Sequence, residues 1–244
     1  NNTNSTELEA LTITNAAATT FSGTVDLANA LTQTNAATGA TTFTGAVSVG
    51  SADLKGTSYA INNSFASAGT TAFTNSGVIT KSAGTHITST GAFSTSGDVT
   101  LAANITTTDT NLTIGGNLVI AEGASPSLST GAGAGNILLS GSTDGTAGTG
   151  AENLTLNAGT GSLTFTGALG TGAANSLTNV TVTNAAATSF NNTVNITGAL
   201  TQTNAATGTT TFANTVAVGS ADLKGVAYDI NNGFASGGTT TIAN

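Results

Sequence analysis

The opposite charges that recur together are Asp53-Leu54-Lys55 and Asp222-Leu223-Lys224. Side chains two positions apart on a strand share a face, so each trio sets a carboxylate beside an ammonium. That is minimal equipment for proton transfer or for gripping a sugar. It is also the make-up of a plain surface ion pair, worth about 0–1 kcal/mol, and the plain pair is the expectation. A repeated calcium site needs its carboxylates at fixed positions, yet Asp26 becomes Asn195 and Ala60 becomes Asp229 between two copies of one segment. Asp98, Asp109, Asp144 and Glu152 are scattered through Gly- or Thr-rich loops. His86, the single histidine, has no cysteine, carboxylate or second histidine near it in sequence. It reads as a solvated residue on an outer face. One histidine and no nucleophile-elbow motif argue against a serine triad. Polysaccharide hydrolases need clustered carboxylates, and lyases need a basic residue with a neutralising cation. The three lysines stand 26 and 143 positions apart (81 − 55; 224 − 81). No catalytic, metal-binding or cofactor-binding residue is therefore assigned, and no cofactor is expected.

Two polar patterns invite further readings. The pairs Thr12/Thr14, Thr32/Thr34, Thr106/Thr108, Thr164/Thr166, Thr181/Thr183 and Thr201/Thr203 could order water on a flat face, as an ice-binding surface does. Threonine is also an ordinary outward strand residue. Asn104-Ile-Thr106, Asn153-Leu-Thr155 and Asn195-Ile-Thr197 match the glycan-acceptor triplet, but a chain so rich in Asn and Thr produces such triplets by composition alone.

Composition narrows the function classes. Cysteine, methionine and tryptophan are absent, and only 6% of residues are charged, against about a quarter in an ordinary soluble domain. Without cysteine there is no disulfide framework or thiolate metal site. A net charge of −8 with three lysines leaves no basic footprint for nucleic acid or for anionic lipid. No apolar stretch approaches the roughly 20 residues that span a bilayer as a helix, so no membrane insertion is expected. The opening NNTNSTELEA has neither the basic nor the apolar region of a secretion signal.

The elements that must carry these residues are strands. Val47/Val49, Tyr59/Ile61, Leu112/Ile114, Leu154/Leu156 and Val216/Val218 alternate with polar neighbours at a period of two, the mark of half-buried strands. Gly115-Gly116-Asn117 and the runs 131–136 and 142–150 read as turns. Residues 11–73 recur at 180–242 at a constant offset of 169 (184 − 15; 224 − 55). A shorter period lies beneath. Leu11 to Ala17 resembles Leu31 to Ala37, while Phe21, Phe43 and Phe65 recur at equal intervals (43 − 21 = 65 − 43). Turns of about 20 residues, each with two or three short strands, are the dimension of a β-solenoid coil. The expectation is one continuous all-β solenoid over 1–244 with about 12 coils, and so roughly 55–60 Å long. Phe21, Phe43 and Phe65 would form one aromatic stack, and Asn15 and Asn35 would ladder at equivalent corners. A pair of β-sandwiches is the alternative.

The runs ENLTLNAGTGSLTFTGALG (152–170) and SLTNVTVTNA (176–185) resemble the large β-strand-repeat surface proteins of bacteria, the filamentous-haemagglutinin-like and autotransporter-like adhesins. The resemblance implies a right-handed parallel β-helix outside the cell, at the bacterial surface, and no catalytic residue. The expected role is a stiff stalk or fibre for adhesion, with a self-assembling filament, sheath or surface-layer subunit as the alternative. The expected partners are other copies of the chain or the rest of a larger repeat protein, with host or surface glycans as a further candidate.

Overall fold

The computed structural model describes residues 8–148, 151–172 and 176–244, with the backbone alone described at 35–38 and 204–207. Those residues hold no helix. Their 26 strands form one sheet in which neighbouring strands run parallel, as at Phe93↔Leu112 and Leu118↔Thr143. The chain is a β-solenoid of about 10 turns of ~21 residues, which displaces the sandwich alternative. The expected 12 coils are too many because the middle coils are long. The sequence step between column neighbours is 19 from Ala52 to Thr71 (71 − 52), but 25 from Leu112 to Ile137 and 26 from Ile137 to Leu163 (137 − 112; 163 − 137). The longer steps are taken up in the glycine-rich corners. Ten steps at the ~4.8 Å strand spacing give a rod of about 48 Å.

Each coil visits three columns in turn. The first column runs Leu11, Leu31, Ala52, Thr71, Phe93, Leu112, Ile137, Leu163, Thr188, Thr210, Tyr228. The second runs Thr19, Thr41, Tyr59, Ile79, Val99, Leu118, Thr143, Leu169, Val194, Val216, Phe234. The third begins Val25, Val47, Phe65, Ile87, Ile105, Leu128. Alternation turns the apolar member of each pair inward, so Leu54, Ile61, Leu112, Ile114, Leu118 and Ile120 are all fully buried. Corners bring successive coils so close that glycine is required. A Cβ on Gly141 would lie 2.5 Å from the Gly116 carbonyl oxygen.

The long repeat does not close on itself. Eight steps down the first column lead from Leu11 to Thr188. Val180, the copy of Leu11, lies one strand earlier and pairs with Leu154 and Leu200 in the third column. Phe190, the copy of Phe21 in the second column, stands in the first. Val194, the copy of third-column Val25, stands in the second. The second copy therefore sits one column round from the first. Its internal pairings are nevertheless the same: Leu11↔Leu31 returns as Val180↔Leu200, and Val47↔Phe65 as Val216↔Phe234.

The aromatic rings follow this geometry and correct the expected single stack. Phe21 and Phe43 share a column and stack at 5.1 Å and 3°, but Phe65 comes from the next column and meets Phe43 edge-on at 5.6 Å and 80°. The second copy repeats both contacts, with Phe190–Phe212 at 4.9 Å and 3° and Phe212–Phe234 at 5.7 Å and 81°. Phe165 extends that stack. Phe43→Ala and Phe212→Ala should each cost about 3–5 kcal/mol. Because the columns are equivalent, the two losses should agree within about 0.5 kcal/mol, read as local opening energies by native-state hydrogen exchange.

Candidate functional site

The most regular polar feature is a set of side-chain ladders, one at the entrance to each column. The residue just before the first inward position uses its side chain to accept the backbone N–H of its counterpart on the next coil. At the first column the Asn136 N–H donates to Asn111 Oδ1 at 3.0 Å and the Ser162 N–H to Asn136 Oδ1 at 2.8 Å. At the second the Asn117 N–H donates to Asp98 Oδ1 at 2.7 Å and the Ser142 N–H to Asn117 Oδ1 at 2.9 Å. At the third the Asn104 N–H donates to His86 Nδ1 at 3.3 Å and the Ser127 N–H to Asn104 Oδ1 at 2.9 Å. The corner ladder expected at Asn15 and Asn35 falls on the Asn35 side chain, which lies outside the described residues. His86 is exposed on its corner but serves as a rung of the third ladder. What would have exposed these residues in the sequence is an Asn, Asp or His immediately before an apolar pair at coil spacing.

The acidic residues are parts of the same stitching. Both Asp144 and Glu152 are buried; Glu152 lies in a loop as expected, but Asp144 lies in the strand Thr143–Gly145. Asp144 Oδ1 accepts the Thr171 N–H at 2.6 Å and its Oδ2 accepts the Ser142 hydroxyl at 2.6 Å, while Glu152 Oε1 accepts the Gly123 N–H at 3.0 Å. Asp109, in the left-handed region at φ 55, accepts the Gly133 N–H at 2.6 Å. Among the described residues no three His, Cys, Asp or Glu side chains gather to hold a metal ion. Asp53–Lys55 and Asp222–Lys224 are ion pairs of 3.3 and 3.4 Å, each side chain about half exposed. Solvent screening keeps such pairs weak.

Lys81 is the unexpected cation. In Ile79-Thr80-Lys81 the alternation turns it inward, between Ile61 and Leu101 of the adjoining coils, and it is 1% exposed. Its ammonium donates to the Ser82 carbonyl at 2.8 Å and to Thr85 Oγ1 at 3.4 Å. Burial lowers its pKa from 10.5. Burial, with a smaller contribution from Asp53, raises that of Tyr59.

The threonine pairs do not build a long flat face. Thr12↔Thr32 leads to Asp53, Thr155↔Thr181↔Thr201 to Asp222, and Thr80↔Thr100 to Val119. Two candidate glycan-acceptor amides are occupied in ladders. Asn104 accepts as described above, and Asn153 Oδ1 accepts from Asn179 Nδ2 at 2.8 Å. A shallow groove of about 360 Å³ crosses the outer side of the first column, where Asn111, Thr113, Asn136, Leu138, Ser162 and Thr164 line it. None of these residues titrates, so the groove can hydrogen-bond a neutral ligand but cannot move a proton.

Comparison with known proteins finds no matching protein-family model, no matching curated protein and no matching solved structure.

Two outcomes test the ladders and the buried cation. Asn136→Ala should cost about 1 kcal/mol and speed exchange of the Ser162 amide, whereas His86→Asn should leave the third ladder intact. For Lys81 the unfolded chain binds the extra proton between the lowered folded value and 10.5, so stability should rise with pH across that window. Tyr59 acts oppositely, because above its ordinary 10.0 the unfolded tyrosine ionises first and stability falls. Lys81→Met should remove the rising limb and stabilise the chain at pH 7 by on the order of 1 kcal/mol. Tyr59→Phe should weaken the falling limb. Denaturant midpoints across pH read both.

Proposed function

We propose that this chain is a non-enzymatic structural segment of a bacterial cell-surface protein, forming a stiff stalk or fibre that holds an adhesive part away from the cell. The observation that carries this reading is the rotation of the repeat. Asp53–Lys55 projects from the first column and its copy Asp222–Lys224 from the third. Duplication of this kind multiplies coils, and it does not extend one recognition face. An ice-binding or other lattice-matching surface needs its copies on one face in register. An enzyme needs a converging group of titratable side chains, whereas Asp98, Asp109, Asp144 and Glu152 each accept a backbone N–H about one coil away, and Asp53 and Asp222 pair with lysines.

The chemistry suits the outside of a cell. Lys55 and Lys224 are ion-paired and Lys81 is buried, and no arginine is present. A trypsin-like protease therefore has few exposed targets. The folded chain should survive trypsin with cleavage confined to Lys55 and Lys224, as read by mass spectrometry. Cleavage after Lys81 in the native state would contradict its burial.

The second reading is a self-assembling filament, in which the parallel stacking that joins coils continues from copy to copy. Cryo-electron microscopy of the purified chain separates the readings. Single straight rods of about 48 Å support the stalk, and filaments with a ~4.8 Å axial repeat support assembly. Turnover of a polysaccharide by the same sample would overturn both.

A further inference from the structure

Gln33, Thr41 and Tyr59 converge inside the corner between the first two columns, and each is 1% exposed. Gln33 Oε1 accepts the Thr41 hydroxyl proton at 3.1 Å. Gln33 Nε2 and the Tyr59 hydroxyl have no protein partner. Both face the inner side of Gly56, where a Cβ would lie 2.6 Å from Tyr59 Oη and 3.0 Å from Gln33 Nε2. The second copy repeats these contacts, with Tyr228 half-buried where Tyr59 is buried. Thr210 donates to Gln202 Oε1 at 3.1 Å, and Gln202 Nε2 and the Tyr228 hydroxyl are unpartnered. A Cβ on Gly225 would lie 2.7 Å from Tyr228 Oη and 3.4 Å from Gln202 Nε2. That copy sits one column round, so the constellation belongs to the repeated sequence and not to the surroundings of one column.

Buried donors without partners are destabilising, and a Leu with a Phe would fill the same corner without them. We propose that each copy binds one internal water molecule, held between Gln33 Nε2 and the Tyr59 hydroxyl in the first and between Gln202 Nε2 and the Tyr228 hydroxyl in the second. Water accepts from the amide and either donates to or accepts from the phenol, which no single-role ligand does. The guest is neutral. Asp53 adds to burial in holding the Tyr59 hydroxyl protonated, a negative potential that opposes an anion such as chloride, while the amide N–H opposes a cation. Gly56 and Gly225 keep side-chain bulk out of the site. Gln33 and Thr41 belong to one coil and Tyr59 to the next, so the water joins successive coils where the backbone turns between columns.

An atomic-resolution crystal structure of the whole chain, paired with a bromide-soaked crystal, tests this. The expected result is one solvent peak within about 3.2 Å of both the amide nitrogen and the phenol oxygen in each copy, without bromide anomalous signal. Three results would overturn it: a Gln33 amide turned so that its Oε1 meets the Tyr59 hydroxyl with nothing between them, a bromide peak at the site, or a solvent peak in one copy only.

Discussion

Every feature of this protein depends on one constraint. A coil must present the next one, ~4.8 Å along the axis, with a backbone outline that it can match. In parallel stacking each side chain faces the occupant of its own column position above and below, so a misfit is felt by both neighbours. Most inward positions are therefore filled by Val, Leu, Ile and Phe in register, and corners by glycine where two backbones nearly touch. The ladders of Asn, Asp and His answer the same demand at the column entrances, where a backbone N–H would otherwise lack an acceptor. Stability in such an array is the sum of nearest-neighbour contacts, which explains how a chain with 6% charged residues and no disulfide can be held along its whole length.

The rotated repeat follows from that locality. A segment senses only the coil beneath and the coil above, and the three columns ask the same of it. Residues 180–242 can thus repeat 11–73 with the same pairings although each strand stands in a different column. The ring geometry is the sharpest sign of equivalence: Phe43–Phe65 meets at 5.6 Å and 80°, and Phe212–Phe234 at 5.7 Å and 81°. The unit of construction is the strand with its corner, and whole coils result from three of them.

Strand periodicity and the solenoid were legible because apolar alternation and a spacing of about 20 residues both survive in the raw sequence. Column membership was not. Phe65 follows Phe43 by the same interval that separates Phe43 from Phe21, but corner lengths vary and a constant spacing can cross from one column to another. Lys81 is hidden for a related reason. Its place in Ile79-Thr80-Lys81 marks it as inward, yet lysine ordinarily keeps its charge in water. Asp144 and Glu152 looked like loop acids because their partners, Thr171 and Gly123, are backbone donors on another coil and leave no trace in local sequence. Gln33 and Tyr59 stand more than one coil apart along the chain (59 − 33 = 26), and only the closed corner brings them together.

The same locality bears on what the surface can be. A face that recognises an extended lattice must keep like residues in one column for many coils, and the threonine runs here last two coils before Asp53 or Val119 replaces them and three before Asp222 does. With each further repeat rotating by one column, a surface motif would return to its original face only after three repeats. Sites of one kind would then spiral round the rod, widely spaced and pointing in three directions. That arrangement is poor for gripping a flat surface. It fits the proposed stalk, whose sides would be interchangeable and whose stiffness would come from an interior in which each coil meets the same demands.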